Sequence, residues 1–321
     1  MHRAAITGGA GFIGSTLADR LTRDGVEVVV VDDFSTGRRA FLEELLQRPN
    51  ASLVEGNVLD ADLLAHAFEG CDTVVHLAAN ADVRHGLEHP ELDLEQNVLA
   101  TSRVLEAMRT AKVKRIAFSS TGSVYGEPSV FPTPEDCPFP SQTSLYATSK
   151  LAAEGLISSY CHAFGVDGVV FRFVSVLGER YTHGHVIDFY RALKADPTRL
   201  EILGDGRQEK SYLYVQDCID GILTGLSAHA NPDFRIYNLG TDETLVVDDS
   251  VELICGHLGV DPQIERTGGA RGWPGDSPRI LLDCARIRSL GWRPRVPIRE
   301  AVLRTLAWFD DNPGVIESVE R

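Results

Sequence analysis

"TGGAGFIG", residues 7–14, stands between an apolar run, "RAAIT" (3–7), and a segment with the apolar spacing of a helix, "FIGSTLADRLTRDG" (12–25). A strand that turns into a helix through Gly8, Gly11 and Gly14 lets the backbone approach a diphosphate at the helix N-terminus. A second strand-like run, "EVVVVD" (27–32), comes next and closes on Asp32. A carboxylate there accepts hydrogen bonds from both hydroxyls of an adenosine ribose and repels a 2′-phosphate, so NAD is expected over NADP. Arg38 and Arg39 are the neighbours that argue the other way. A glycine pattern alone is weak, but strand, turn, helix and acid together predict a dinucleotide-binding fold.

Outward from this unit the alternation continues. "SLVEG" (52–56), "TVVHLA" (73–78), "RIAFSS" (115–120) and "GVVFRF" (168–173) read as strands, and residues 61–70, 92–111 and 145–165 have helical spacing. Continuous apolar strands alternating with helices mean a parallel sheet covered on both faces. The expected fold is therefore α/β, a doubly wound Rossmann domain over 1–173 with a smaller mixed α/β lobe over 174–321, and a stretch near 212–240 returning to the sheet. The cleft between the two parts is the expected ligand site.

Composition narrows the partners. The 321 residues are 43% hydrophobic and 24% charged, ordinary for a globular chain, and the formal net charge of −15 argues against nucleic acid and anionic membrane surfaces. No apolar run approaches membrane-spanning length, and strand-like sequence begins within a few residues of Met1. Six scattered cysteines without a CxxC pair suggest free thiols in a reducing compartment, so a cytoplasmic location is expected. His183 and His185 in "THGHV" lack further ligands, and no metal is expected.

The segment "LYATSKLAAEG" (145–155) places Tyr146 and Lys150 on one helical face. A lysine ammonium beside a phenol favours the tyrosinate, which would draw its pKa from about 10 toward neutrality and make it a general base. Upstream, "FSSTGSVYG" ends a strand at its carboxyl edge and offers the hydroxyls of Ser119, Ser120, Thr121 and Ser123 to a substrate alcohol. These groups describe an alcohol–ketone hydride transfer site.

Taken together, "TGGAGFIG", "VVHLAA", "FSSTGSVYG" and "YATSK" resemble the extended short-chain dehydrogenase/reductase family, within it the NAD-dependent nucleotide-sugar epimerases and dehydratases. The later segments "ILGDGRQEKSYLYVQD" (202–217), "YNLGTDE" (237–243) and "RGWPGDSPRILLDCARIRSLGWRP" (271–294) resemble it too, the last favouring UDP over dTDP. The resemblance implies Thr121, Tyr146 and Lys150 as catalytic residues. It implies NAD contacts at Gly8, Gly11, Phe12, Ile13 and Gly14, at Asp32, Phe34, Ser35, Thr36 and Gly37, and at Asn57 and Val58. Leu77, Ala78, Ala79, Asn97, Ser119, Tyr146 and Lys150 complete that set. For the UDP-sugar it implies Thr121, Ser123, Ser175, Arg180, His185, Val186, Arg191, Lys210, Tyr212, Arg271 and Asp276. Helices 91–112 and 145–164 correspond to those that form a dimer's four-helix bundle in the family, and Leu92, Val98, Leu105 and Leu156 are candidates for that face or for the chain's own core.

The family divides by the step taken after oxidation at C4 of the sugar. Dehydratases resemble one another in an Asp-Glu pair directly after the Ser/Thr, where this chain has Gly122 and Ser123; decarboxylases carry a glutamate where it has Ser123. Reversible oxidation remains, which is 4-epimerisation. Ser175, where asparagine is usual, resembles the small hydroxyl of glucuronate 4-epimerases and tilts the expectation slightly to UDP-glucuronate, with Arg180 or Arg191 pairing its carboxylate; Thr182 stands where that subfamily has an arginine. UDP-glucose is the alternative substrate. A net NAD-dependent sugar oxidoreductase and a catalytically idle NAD-binding protein are the other classes left open.

Overall fold

A computed structural model describes residues 1–81, 83–138, 141–228 and 233–317. Its centre is a parallel sheet of seven strands. Six are β1 (Arg3–Thr7), β2 (Glu27–Asp32), β3 (Ala51–Glu55), β4 (Thr73–His76), β5 (Arg115–Thr121) and β6 (Asp167–Phe173), and the seventh is Phe234–Leu239. From one edge the order is Phe234–Leu239, β6, β5, β4, β1, β2, β3.

Strand chemistry reflects burial on two faces. On one side Ile6 and Val30 pack with Leu17 and Leu21 of helix α1 (Phe12–Arg23). On the other, Ala5, Val29 and Val31 join Val104, Met108 and Ile157. Successive residues point to opposite cores, which is why these strands read as unbroken apolar runs rather than as alternation.

The helix expected over 92–111 is interrupted. A short turn, Pro90–Asp93, passes into a π-helical turn, Leu94–Leu99, before the regular helix Ala100–Ala111 begins. The widened turn brings Asn97 inward, 1% exposed, where its Nδ2 donates to the Ser149 hydroxyl at 2.8 Å. The helix Leu145–Phe164 runs as expected, capped by the Ser144 hydroxyl accepting from Ala147 N and closed by Gly165 at φ 65°.

Beyond β6 the chain builds the second lobe. Ser175–Leu177 pairs in parallel with Tyr212–Tyr214, so the start of the 212–240 stretch stays outside the main sheet; its end, Phe234–Leu239, adds beside β6, and 229–232 lie outside the described residues. The helix Val215–Ser227 returns to lie against α1. Among the described residues, no helix is long and apolar enough to cross a membrane.

Candidate active site

The loops after β1, β2, β4 and β5 all leave the same carboxyl edge of the sheet. That edge is where an open parallel sheet presents its ligand crevice. Gly11 is the N-cap of α1, no side chain caps that helix, and the first turn's N–H groups are left for an incoming acceptor. Gly8 sits at φ 68°, and a Cβ there would lie 2.6 Å from Ala78 N. At Gly14 a Cβ would lie 2.2 Å from Gly8 O, whereas at Gly11 it would meet within 4 Å only Gly8 O, at 3.2 Å. The turn is thus closed on itself and open on the side a diphosphate would take. Phe12 and Val58 are buried and Ile13 is half-buried around it.

Asp32 is 7% exposed, and its two oxygens accept from Ala10 N (2.8 Å) and Phe34 N (2.9 Å). This fastens the acid to the glycine turn and leaves its remaining lone pairs for ribose hydroxyls. Burial raises its pKa, which the two backbone donors oppose. Ser35 and Thr36 are exposed beside it, Gly37 lies close against it, and Asn57 donates to Asp33 at 2.7 Å. Leu77, Ala78 and Ala79 come after β4, the first two tied to Thr7 by Leu77 N→Thr7 O (3.1 Å) and Ala78 N→Thr7 Oγ1 (3.4 Å). These residues fit a dinucleotide: glycines for close approach, an anchored acid, and a free helix N-terminus.

At the end of β5, Thr121 is hydrogen-bonded to Tyr146 and accepts from Ser123 N at 3.1 Å. Lys150, 2% exposed, donates to the Ser119 carbonyl at 2.9 Å and lies over the Phe118 ring. The lysine therefore does not draw the tyrosine down as expected. Burial, aided by the Asp93 carboxylate, pushes Tyr146 up to about 12 against the opposing Thr121 hydrogen bond. Burial also lowers Lys150 to about 7, with Asp93 and Glu154 opposing. Ser120 likewise departs from expectation: the residue is 3% exposed and its hydroxyl donates to Glu154.

In the second lobe, Lys210 pairs with Asp276 at 2.5 Å, and Arg271 donates to the Asp276 carbonyl at 2.7 Å and to the Glu127 carboxylate. Asp276, 3% exposed, also accepts from Gly272 N at 3.0 Å. His185 Nδ1 lies 3.5 Å from the Tyr212 hydroxyl, while its buried Nε2 has no hydrogen-bond partner among the described residues. Burial and the nearby Lys210 lower this imidazole to about 3, so it is neutral. Val186 is fully buried and Ser175 exposed, and His183 stacks on Tyr181.

Residues 4–240 match the model of the "NAD dependent epimerase/dehydratase family". The chain belongs to that family. A UDP-glucose 4-epimerase of Mycolicibacterium smegmatis is 35% identical over 96% of this chain and 98% of its own. A crystal structure of a UDP-galactose 4-epimerase superposes with a TM-score of 0.87 at 36% identity, covering 97% of this chain and 99% of that one. The dTDP-glucose 4,6-dehydratase DesIV of Streptomyces venezuelae, solved with NAD, gives 0.90 at 28% identity over 99% and 100%. The expected NAD dependence, α/β fold and enzyme class, an isomerase of the epimerase type, all stand.

Within this epimerase/dehydratase framework the two arginines expected near the sugar are placed differently. Arg180 is bound to Asp19 of α1 at 2.6 Å, a carboxylate that Arg48 also pairs at 3.0 Å, and lies over the Phe41 ring. Arg191, half-buried on the helix His185–Ala195, has no ion pair among the described residues. Two side chains near Tyr146 and Lys150 escaped the sequence reading. Asp93 lies near Tyr146 and Lys150 and has no signature of its own in sequence; Glu154, four residues past Lys150, could have been found on the same helical face.

Lys150 gives a pH prediction. Its folded pKa of about 7 lies below the ordinary 10.5, so between those values the unfolded chain holds more protons and stability attributable to Lys150 rises with pH. In cofactor-stripped protein, the stability of Lys150→Met relative to wild type is expected to fall by up to a few kcal/mol from about pH 7 to about pH 10. Chemical denaturation of both proteins at several pH values measures this. A constant difference would mean that Lys150 does not titrate there.

Proposed function

We propose that the chain is a UDP-hexose 4-epimerase that interconverts UDP-glucose and UDP-galactose through a 4-keto intermediate. The observation that carries this reading is the hydrogen-bonded Thr121–Tyr146 pair with no acid at the two positions that follow Thr121. Gly122 and Ser123 stand where elimination requires carboxylates and supply none, and at Gly122 a Cβ would lie 3.3 Å from both Leu282 Cδ1 and the Phe173 carbonyl, a tight fit for any side chain. A dehydratase reading is disfavoured on that ground.

In this reading Thr121 and Ser123 hold the sugar O4 while Tyr146 accepts its proton and later returns it. Lys150, fixed by the Ser119 carbonyl, serves the cofactor ribose. Bound NAD supplies the hydride acceptor and, when oxidised, a positive charge beside the phenol, and is regenerated within each turnover. Residues 1–173 would carry the cofactor, held by the Gly8–Gly14 turn, Asp32 and Asn97. Residues 174–321 would bind most of the UDP, with Lys210 and Arg271 exchanging their carboxylate partners for the diphosphate. His185 Nε2 would find its missing partner on the ligand.

Hexose is favoured over uronate because Arg180 is engaged by Asp19. UDP-glucuronate is the second reading, supported by the exposed hydroxyl of Ser175 and by Arg191. A homodimer is proposed on the helices at 90–111 and 145–164. Leu105 is buried in the chain's own core, but Leu94, Leu99, Leu145 and Phe164 are exposed apolar residues there.

Purified protein incubated without added NAD, separately with UDP-glucose and UDP-glucuronate, tests the reading by chromatography and proton NMR of the products. UDP-galactose is expected. Mainly UDP-galacturonate would move Ser175 to the centre of specificity. No product even with NAD supplied would leave a net oxidoreductase as the better account.

A further inference from the structure

Tyr146, Lys150 and Glu154 recur every four residues along one face of the helix Leu145–Phe164. The first two belong to the proposed chemistry; Glu154 has no part in it. It is nonetheless 3% exposed and heavily bonded. Arg172 donates to it through a fork, Nε to Oε1 at 3.1 Å and Nη2 to Oε2 at 2.6 Å, and the Ser120 hydroxyl donates to Oε1 as well. Arg172, 1% exposed, extends Nη1 to the Tyr125 hydroxyl (2.9 Å) and the Glu135 carbonyl (3.2 Å). Ser120 and Arg172 are paired neighbours in β5 and β6. Ser120 also separates Ser119, whose carbonyl holds Lys150, from Thr121, which meets Tyr146.

We propose that the Glu154–Arg172 pair is a positioning device: anchored to Ser120, it fixes the rotation and height of the catalytic helix on β5 and β6, and so the approach of Tyr146 to Thr121. The inference rests on the reading that Tyr146 exchanges a proton with the sugar. Apolar contacts such as those of Ala153 and Ile157 hold the helix down but are non-directional. A forked guanidinium–carboxylate contact sets both a distance and a plane. Stability alone does not account for it, because replacing a buried ion pair by apolar groups of similar volume is often neutral or favourable. A reactive group displaced by about 1 Å loses about 10²-fold in rate, so small movements of this helix matter.

The test replaces both partners, Glu154→Leu with Arg172→Met, in the full-length holoenzyme and compares its thermal midpoint, KM and kcat for UDP-sugar epimerisation with wild type. The expected result is a midpoint at or above wild type, KM within about twofold, and kcat lower by about 10- to 100-fold. A folded double variant with wild-type kcat overturns the inference and leaves the proposed function standing. Wild type inactive on every UDP-sugar removes the function and the inference with it. Should the double variant not fold, Ser120→Ala decides the matter by removing one strut and keeping the ion pair: a several-fold loss of kcat at constant KM supports positioning, and an unchanged kcat overturns it.

Discussion

Tyr146→Phe is expected to lower kcat for epimerisation by about 10³-fold while KM changes little. The phenol is the one titratable side chain that the fold brings into hydrogen-bond contact with Thr121 among the described residues, and the Lys150 ammonium points to the Ser119 carbonyl. Removing the hydroxyl leaves no base for O4, yet it takes away only the bond to Thr121 from the fold. The thermal midpoint should therefore stay near wild type. Steady-state kinetics with UDP-glucose and a melting curve measure both quantities. Retention of more than about a tenth of wild-type kcat would mean that another group moves the proton.

Gly14→Ala should be comparably severe for a different reason. The new methyl would lie 2.2 Å from Gly8 O and 2.8 Å from Gly9 Cα, backbone atoms of the turn itself. The turn must open to admit it, at a cost of about 1–3 kcal/mol in stability. Once opened, it no longer brings the N-terminus of α1 to the diphosphate. Purified Gly14→Ala is expected to carry no bound NAD and to show no epimerase activity without added cofactor, as read by cofactor release on denaturation. Gly155→Ala is the control. Nothing lies within 4 Å of a Cβ there, and alanine in a helix interior should add about 1 kcal/mol of stability and leave NAD retention alone. Retention of NAD by Gly14→Ala would show that the turn tolerates the methyl.

Much of the fold was legible because it is encoded locally. The Gly8–Gly14 turn announces itself between a strand and a helix, and Asp32 closes the next strand in the position a ribose-binding acid requires. Full burial of β2 on two faces leaves an apolar run that cannot be mistaken for a surface strand. The break at Leu94–Leu99 was less visible. Its residues keep helical apolar spacing, and the wider turn is registered by the inward bonds of Asn97 to partners as distant in sequence as Ser149.

The Tyr146–Lys150 pair divides in the same way. That Tyr146 and Lys150 share a helical face is a consequence of their spacing; which way their proton equilibria move is not, because desolvation and the charge of Asp93 depend on what packs around them. That Asp19 stands 2.6 Å from the Arg180 guanidinium across 161 residues of chain is likewise not legible in sequence. The bareness of position 122 is visible in the sequence, but that a side chain there would be tightly packed is a matter of Leu282 and Phe173. The sequence by itself determined the sheet, the glycine turn and the proposed reactive groups, since each is specified by residues a turn or a strand apart. Only the tertiary structure decided which charges are already matched, which groups are kept neutral and where space is closed. Ion pairing, desolvation and steric exclusion are set by distant residues meeting in the folded chain.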